Sequence, residues 1–89
     1  MGGRAGALVG EALARLSRRH QVLCITHLPQ VAAYAERHFV VAKHSDGART
    51  WSEVRPVEGD ERIEELASML GGTGAANLAA ARALVLATG

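Results

Sequence analysis

Apolar residues in the first part of the chain recur at the spacing of a helix. Between Arg4 and Arg19 they share one face, formed by Ala5, Leu8, Val9, Ala12, Leu13 and Leu16. Glu11 and Arg15 lie off this face at a favourable i,i+4 spacing. Gly6 and Gly10 lower the helix propensity, so they indicate close approach to another backbone. The pattern predicts an amphipathic helix over residues 4–19.

A short, unbroken apolar run follows, from Val22 to Thr26. A strand that is apolar on both faces is typical of the interior of a parallel sheet, because helices cover both sides of such a sheet. The run stops at Thr26-His27, and Pro29 then stands where the first turn of a helix tolerates proline. The sequence therefore predicts a buried strand over residues 22–26 and a helix over Pro29–Glu36.

Two further strands are predicted on either side of a turn. Phe39–Ala42 is a short apolar run, and Thr50–Val57 alternates in character and ends near Pro56. Between them, Asp46-Gly47 is a dipeptide that is typical of tight turns. Together these features predict an antiparallel hairpin.

The last third of the chain has the pattern of two helices. Asp60–Leu70 has acidic residues in its first turn and an apolar face, and Gly71-Gly72 is a typical helix end. An alanine-rich helix is predicted over Ala75–Ala87. The predicted class is α/β, with the order α-β-α-β-β-α-α in one domain of residues 1–89. This order supplies no parallel partner for the strand at 22–26, which indicates a fragment of a larger domain.

Composition narrows the class of protein. Of the 89 residues 48% are apolar, but only one Trp, one Tyr and one Phe are aromatic, which suits close packing of helices on a sheet. A net charge of +1 is too balanced to indicate binding to nucleic acid or to a membrane by charge alone. The single cysteine excludes an internal disulfide, and no apolar run is long enough to span a bilayer. We therefore expect a cytoplasmic protein with no membrane partner.

His27 is the leading candidate for chemistry. It stands after the predicted buried strand and before a helix, where open α/β sheets place groups that contact ligands. A neutral imidazole at this position can donate one hydrogen bond to a phosphate oxygen or to an attacking water. A histidine here can also cap the following helix or fill a loop, and the spacing alone favours that structural role.

Other candidate sites have weaker support. Cys24 and His27 have the spacing of two metal ligands, but Cys24 falls inside an apolar strand, where a thiol is usually an inert core residue. Neither a base nor a helix N-terminus is placed to activate Cys24 as a nucleophile. Arg15, Arg18 and Arg19 suit the solvated C-terminus of the first helix. We expect no metal site.

Three stretches of the chain resemble one protein family. They are residues 2–6 (Gly-Gly-Arg-Ala-Gly), 20–33 (His-Gln-Val-Leu-Cys-Ile-Thr-His-Leu-Pro-Gln-Val-Ala-Ala) and 61–72 (Glu-Arg-Ile-Glu-Glu-Leu-Ala-Ser-Met-Leu-Gly-Gly). All three are similar to the end of the RecN family of bacterial DNA repair ATPases. The similarity covers nearly all of residues 2–88, and Thr-His-Leu-Pro-Gln at 26–30 is its most specific part. RecN belongs to the SMC-like branch of the ABC ATPases, so the resemblance implies the C-terminal part of an ABC-type head.

The resemblance also implies a role for His27 and for two glycines. His27 would be the switch histidine, which contacts the terminal phosphate of ATP, and this reverses the preference for a structural role. Gly2 and Gly3 would form the tail of the D-loop, which crosses to the opposing head when two heads enclose nucleotide. The implied cofactors of the complete protein are ATP and Mg²⁺. Its implied partners are the N-terminal half of the head, a second head in a homodimer, and DNA through the whole assembly.

The implied function is DNA double-strand break repair and recombination, in the cytoplasm at the nucleoid. The sequence departs from the family pattern in the motifs that bind ATP and Mg²⁺. Residues 1–89 contain no Gly-x4-Gly-Lys-Ser/Thr phosphate-binding loop, no signature motif and no Mg²⁺-binding acidic strand end, and Ser68 replaces an expected basic residue. We therefore expect the chain alone to need no cofactor, to bind ATP–Mg²⁺ no better than millimolar and to hydrolyse none. A non-enzymatic docking module or an inactive truncated product is the alternative.

Overall fold

The computed structural model describes residues 3–88 as four helices and one two-stranded antiparallel sheet. In chain order the elements are α1 (Gly3–Leu16), α2 (Pro29–Ala32), β1 (His38–Ser45), β2 (Thr50–Val57), α3 (Gly59–Met69) and α4 (Ala75–Thr88). The mixed helix and strand content confirms the predicted α/β class. Within the described range, no helix combines the length and the apolar character needed to cross a membrane.

The core forms where the segment of α2 meets α3 and α4. Leu66 and Ala67 of α3 and Ala81 of α4 are each 0% exposed, and Ala33, just after α2, joins the same cluster. Because alanine has little bulk, these helices can approach closely around the one large buried side chain, Leu66. Partly buried apolar residues close the cluster: Ile63, Met69, Leu70, Leu78, Leu84 and Val85. The apolar face predicted for the helix over residues 60–70 is confirmed.

Two glycines end α3 as predicted. Gly71 and Gly72 have φ values of +124° and +152°, which side chains rarely tolerate. The N–H of Gly72 donates to the carbonyl of Ala67 at 3.2 Å, so the last turn of α3 closes on itself. This reversal lets α4 fold back onto α3.

Helix α1 docks through its glycines and not through its predicted apolar face. Gly6 and Gly10 are buried. A Cβ on Gly6 would lie 3.2 Å from the Cβ of Gln30, and a Cβ on Gly10 would lie 2.4 Å from Cδ2 of Tyr34. Close approach is found at both glycines, but the predicted partner, another backbone, is wrong, because the contacts are side chains of Gln30 and Tyr34. The apolar face stays largely exposed, at Leu8, Val9 and Leu16.

The predicted hairpin is confirmed, and its first strand is longer than the apolar run Phe39–Ala42 that predicted it. Strands β1 and β2 pair from His38 opposite Val57 to Ser45 opposite Thr50. In the turn, the Oδ1 atom of Asp46 accepts hydrogen bonds from the backbone N–H groups two and three residues ahead, both at 3.0 Å. Gly47 has a φ of +88°, which explains why this turn needs glycine.

The prediction of a strand over residues 22–26 is wrong for this structure. These residues have no regular secondary structure, and Leu23 and Ile25 are 87% and 95% exposed. A strand needs a neighbour for its backbone N–H and C=O groups, and the sheet described within residues 3–88 contains only β1 and β2. The apolar pattern suits a covered strand, but no described residues supply the cover. The order is therefore α-α-β-β-α-α, and α2 is also shorter than the predicted helix over 29–36.

Exposure of residues 22–26 predicts that the chain by itself self-associates. Apolar side chains beside unpaired backbone groups form a template for strand pairing between molecules. We expect the purified chain to sediment as oligomers or aggregates with a partly molten character. The double variant L23S/I25S should shift toward the monomer in sedimentation velocity, because it removes the apolar part of that template.

Leu86→Ser is the matched control for this double variant. Leu86 is an exposed leucine at 80%, but it lies within α4, whose backbone is hydrogen-bonded internally. Its replacement should change the sedimentation profile less. An unmodified chain that sediments as a monomer and melts in one sharp transition would contradict the prediction.

The contact between Gly10 and Tyr34 gives a second prediction, tested in the L23S/I25S background. Gly10→Ala should weaken the docking of α1 by about 1–3 kcal/mol, since its Cβ overlaps the Tyr34 ring. The measurement is faster amide exchange in α1. Gly6→Ala is the control in the same helix, because its closest contact is only slightly tight. If the Tyr34 contact is the cause, Gly10→Ala should have no further effect once Tyr34→Ala is present.

Candidate functional site

His27 lies directly before α2 and is exposed to solvent. The residue at the N-cap of α2 is Leu28, and no side chain caps it. The nearest local bond is made by Thr26, whose Oγ1 accepts a hydrogen bond from the N–H of Leu28 at 3.0 Å. Pro29 needs no such partner because it has no N–H. The helix-capping role considered for His27 therefore does not describe its place in the structure.

The short helix α2 holds the backbone after His27 firmly in the core. Pro29, Val31 and Ala32 are buried, and α1, α3 and α4 all contact this helix. Gln30 is the half-buried exception, and it faces Gly6 of α1. The residue that could contact a ligand is thus exposed, whereas the turn that carries it is immobilised by packing.

Two side chains from the C-terminal helices bind the end of the turn that follows α2. The Nη2 atom of Arg62 donates to the carbonyls of Ala33 at 3.0 Å and Ala35 at 2.9 Å. The hydroxyl of Thr88 is 3.1 Å from the same Ala33 carbonyl and 2.8 Å from that of Val85. Carbonyls at a helix end lack partners within the helix, so bonds from outside are stabilising there. A bond from a charged donor contributes about 1.5–3 kcal/mol.

His38, at the start of β1, lies beside this cluster. Burial lowers the pKa of His38, and the positive charge of Arg62 lowers it further, while Glu65 partly opposes both effects. Its Nδ1 atom is buried and has no hydrogen-bond partner among residues 3–88. The lowered pKa favours the neutral form of this imidazole.

The remaining sequence-based candidates are scattered. Gly2 lies outside the described residues, and Gly3 is the first residue of α1. Cys24 is exposed, so the expectation that it is an inert core residue is wrong for this structure. Cys24 is exposed because no described part of the chain covers residues 22–26, which is also why these residues form no strand.

Sequence reasoning missed a cluster on the hairpin and the role of Arg62. The ring of His44 stacks on Trp51 with centroids 5.5 Å apart, and its Nε2 atom lies 3.1 Å from a carboxylate oxygen of Glu53. The guanidinium of Arg49 lies 5.4 Å from the centre of the same Trp51 ring. Pairing of the strands in register, with His44 opposite Trp51, was the available signal for the stack. Arg62 carries no such signal because its acceptors lie at least 27 residues away.

The half-buried His38 makes stability depend on pH. Its pKa is lowered in the folded state, whereas an unfolded histidine titrates near about 6.5. Its contribution is therefore present above that value and is lost as the pH falls below it toward the folded pKa. In the L23S/I25S background, we expect His38→Gln to reduce the loss of stability between about pH 7.5 and 5.5 in urea unfolding. Substitution of the exposed His20 by Gln is the control, and an equal effect from it would contradict the assignment.

Comparison with known proteins identifies relatives, although no family model matches the chain. It is 57% identical over 74 residues to the DNA repair protein RecN of Mycobacterium leprae, a match that covers 83% of this chain and 12% of that protein. The RecN of Streptomyces coelicolor is 51% identical over 72 residues, or 81% and 13%. The RecN of Deinococcus radiodurans is 49% identical over 86 residues, or 96% and 15%.

The chain thus spans only 12–15% of the length of these relatives. The matches take in 81–96% of this chain. The α/β arrangement is consistent with a portion of RecN. The chain belongs to the RecN family of DNA repair proteins and represents a C-terminal part of it.

Proposed function

We propose that the chain is the C-terminal part of a RecN-type ATPase head that acts in DNA double-strand break repair and recombination. One observation carries this proposal. An exposed His27 precedes the buried helix α2 within a Thr-His-Leu-Pro-Gln run, in a chain 49–57% identical to three proteins named DNA repair protein RecN.

In this proposal, His27 contacts the terminal phosphate of ATP. Its imidazole reaches solvent, and in its neutral form it can donate one hydrogen bond to a phosphate oxygen. Catalysis depends on donors that are held in position before charge develops, so the fixed turn behind His27 matters as much as its exposure. The packing of α2 against three other helices supports such a position.

The other parts of the reaction would come from the remainder of the head. ATP would supply the phosphoryl group. Mg²⁺ and a lysine loop would neutralise its charge, and acidic residues would hold the metal. Residues 1–89 contain neither that loop nor those acidic residues. This chain would contribute a single contact through His27, and Gly2 and Gly3 would form the segment that approaches a second head. The chain by itself is therefore not hydrolytic.

Two exposed apolar surfaces support docking to the N-terminal half of the head. One is the face of α1 with Leu8 and Leu16, which are 63% and 49% exposed. The other is the segment 22–26, whose backbone is available to pair with a strand from outside. Both lie on the N-terminal side of His27 in the sequence. Docking there would bury the apolar residues and bring the phosphate-binding parts toward the histidine.

DNA would be bound through the complete assembly, formed by two heads and located in the cytoplasm at the nucleoid. The net charge of +1 gives this chain no strong basic surface of its own. Its contribution to repair would therefore be made through nucleotide and head engagement.

A purely docking role, without contact to nucleotide, is the second candidate. The same exposed surfaces favour it, because they require a partner whether or not His27 touches phosphate. The two candidates differ in what happens to hydrolysis when His27 is changed.

The test uses full-length RecN of Deinococcus radiodurans in which this chain replaces the matching segment. We expect this chimera to hydrolyse ATP. His27→Ala should leave ATP binding nearly unchanged and lower kcat by about 100-fold, as removal of one preorganised donor does. Binding is measured by calorimetric titration, and turnover by phosphate release.

The control is His20→Ala, which removes an exposed histidine from the turn after α1. It should leave both quantities unchanged. Unaltered hydrolysis in His27→Ala would support the docking role alone, and equal losses of binding and turnover would indicate a structural role for His27. A chimera without any ATPase activity would contradict the proposed function.

A further inference from the structure

The end of the turn after α2 is held from both C-terminal helices. Arg62 on α3 donates to the carbonyls of Ala33 and Ala35, and Thr88 on α4 has its hydroxyl 3.1 Å from the Ala33 carbonyl. These contacts join residues that are 27, 29 and 55 positions apart in the sequence. One arginine and one hydroxyl thus bind the same short stretch of backbone, residues 33–35.

This stretch of backbone is connected to His27 through a short segment that includes helix α2. Only Leu28 and the buried turn of α2 separate His27 from Ala33. The N–H of Ala33 donates to the carbonyl of Pro29 at 2.9 Å, and the N–H of Ala32 to that of Leu28 at 3.0 Å. Movement of Ala33 would therefore move the first turn of α2 and the histidine in front of it.

On the N-terminal side, His27 has little to hold it. Residues 21–26 have no regular secondary structure, and their one hydrogen bond described within residues 3–88 is that from Leu28 to Thr26. The position of the imidazole is set from the C-terminal side, through α2.

We propose that Arg62 is a positioning residue for His27, with Thr88 as its second support: α3 and α4 fix the place of the imidazole by binding the carbonyls behind α2. This inference rests on the proposed contact between His27 and phosphate. It assigns to the C-terminal helices a part in turnover.

The expected signature separates turnover from binding. In the ATP-hydrolysing chimera, Arg62→Ala should lower kcat about tenfold and change the KM for ATP less than about twofold, because a small misplacement of a catalytic contact lowers the rate sharply. Arg62→Lys should recover part of the rate, since one ammonium can still donate to one of the carbonyls. Thr88→Val should lower kcat by a smaller factor, and Thr88→Ser should restore it.

Arg55→Ala is the matched control. Arg55 on β2 is an exposed arginine that pairs with Glu61 of α3, so its loss removes an arginine contact to the same helix without touching the carbonyls behind α2. Its kcat should equal that of the unmodified chimera. Should Arg62→Ala prove unable to fold, Thr88→Val and Thr88→Ser carry the test, because valine removes the hydroxyl of Thr88 and serine keeps it.

A double-mutant cycle decides whether Arg62 acts through His27. If it does, Arg62→Ala or Thr88→Val should cause no further loss of kcat once His27→Ala is present. Multiplicative losses in the double variants would overturn the inference, as would an unchanged kcat in both single variants. Such results would leave the proposed function intact as long as His27→Ala alone slows hydrolysis. If His27→Ala has no effect, the proposed contact itself fails.

Discussion

The carbonyl groups behind α2 impose the constraint on which the rest of this structure depends. A helix of one turn cannot satisfy its own end, and here that end lies within the core and not in solvent. Arg62 supplies the missing donors, and α3 must lie where its guanidinium can reach them. Helix α4 is then fixed by the small residues that pack beside Leu66 and by the contact of Thr88. One polar requirement therefore organises three helices.

The same arrangement divides the molecule into a covered side and an uncovered side. On the covered side, alanines and one leucine make a small buried core. On the uncovered side, α1 touches α2 through two glycines while its leucines face outward, and residues 22–26 are exposed. Such exposure is costly in water, so these surfaces are consistent with a chain that spans 12–15% of its relatives' length.

His27 stands at the boundary between these two sides. The imidazole is exposed, so it can contact another molecule, and the backbone that follows it is held by the buried residues of α2. A single hydrogen-bond donor cannot carry out phosphoryl transfer, which depends on several charges placed together. In the proposed function, His27 therefore makes one contribution to a site that other polypeptide would complete. The hairpin is joined to the core mainly at its base, near His38 and Val57, which leaves its distal His44 and Trp51 cluster outside this site.

The sequence by itself determined the local elements and the family. Helical spacing identified α1 and α3, and alanine content identified α4. The Asp46-Gly47 pair identified the hairpin, and the run at residues 26–30 pointed to RecN. These features are readable because each depends on residues that are close together in the chain. The strand at 22–26 was wrongly predicted, because an apolar pattern records the environment that a segment suits and not whether its neighbours are present. The tertiary structure alone decided that α1 packs by its glycines and that Arg62 holds the turn behind His27. Both contacts join residues that are far apart in the sequence. The spacing of apolar residues predicts local elements, but it does not predict which distant side chain will contact a given residue.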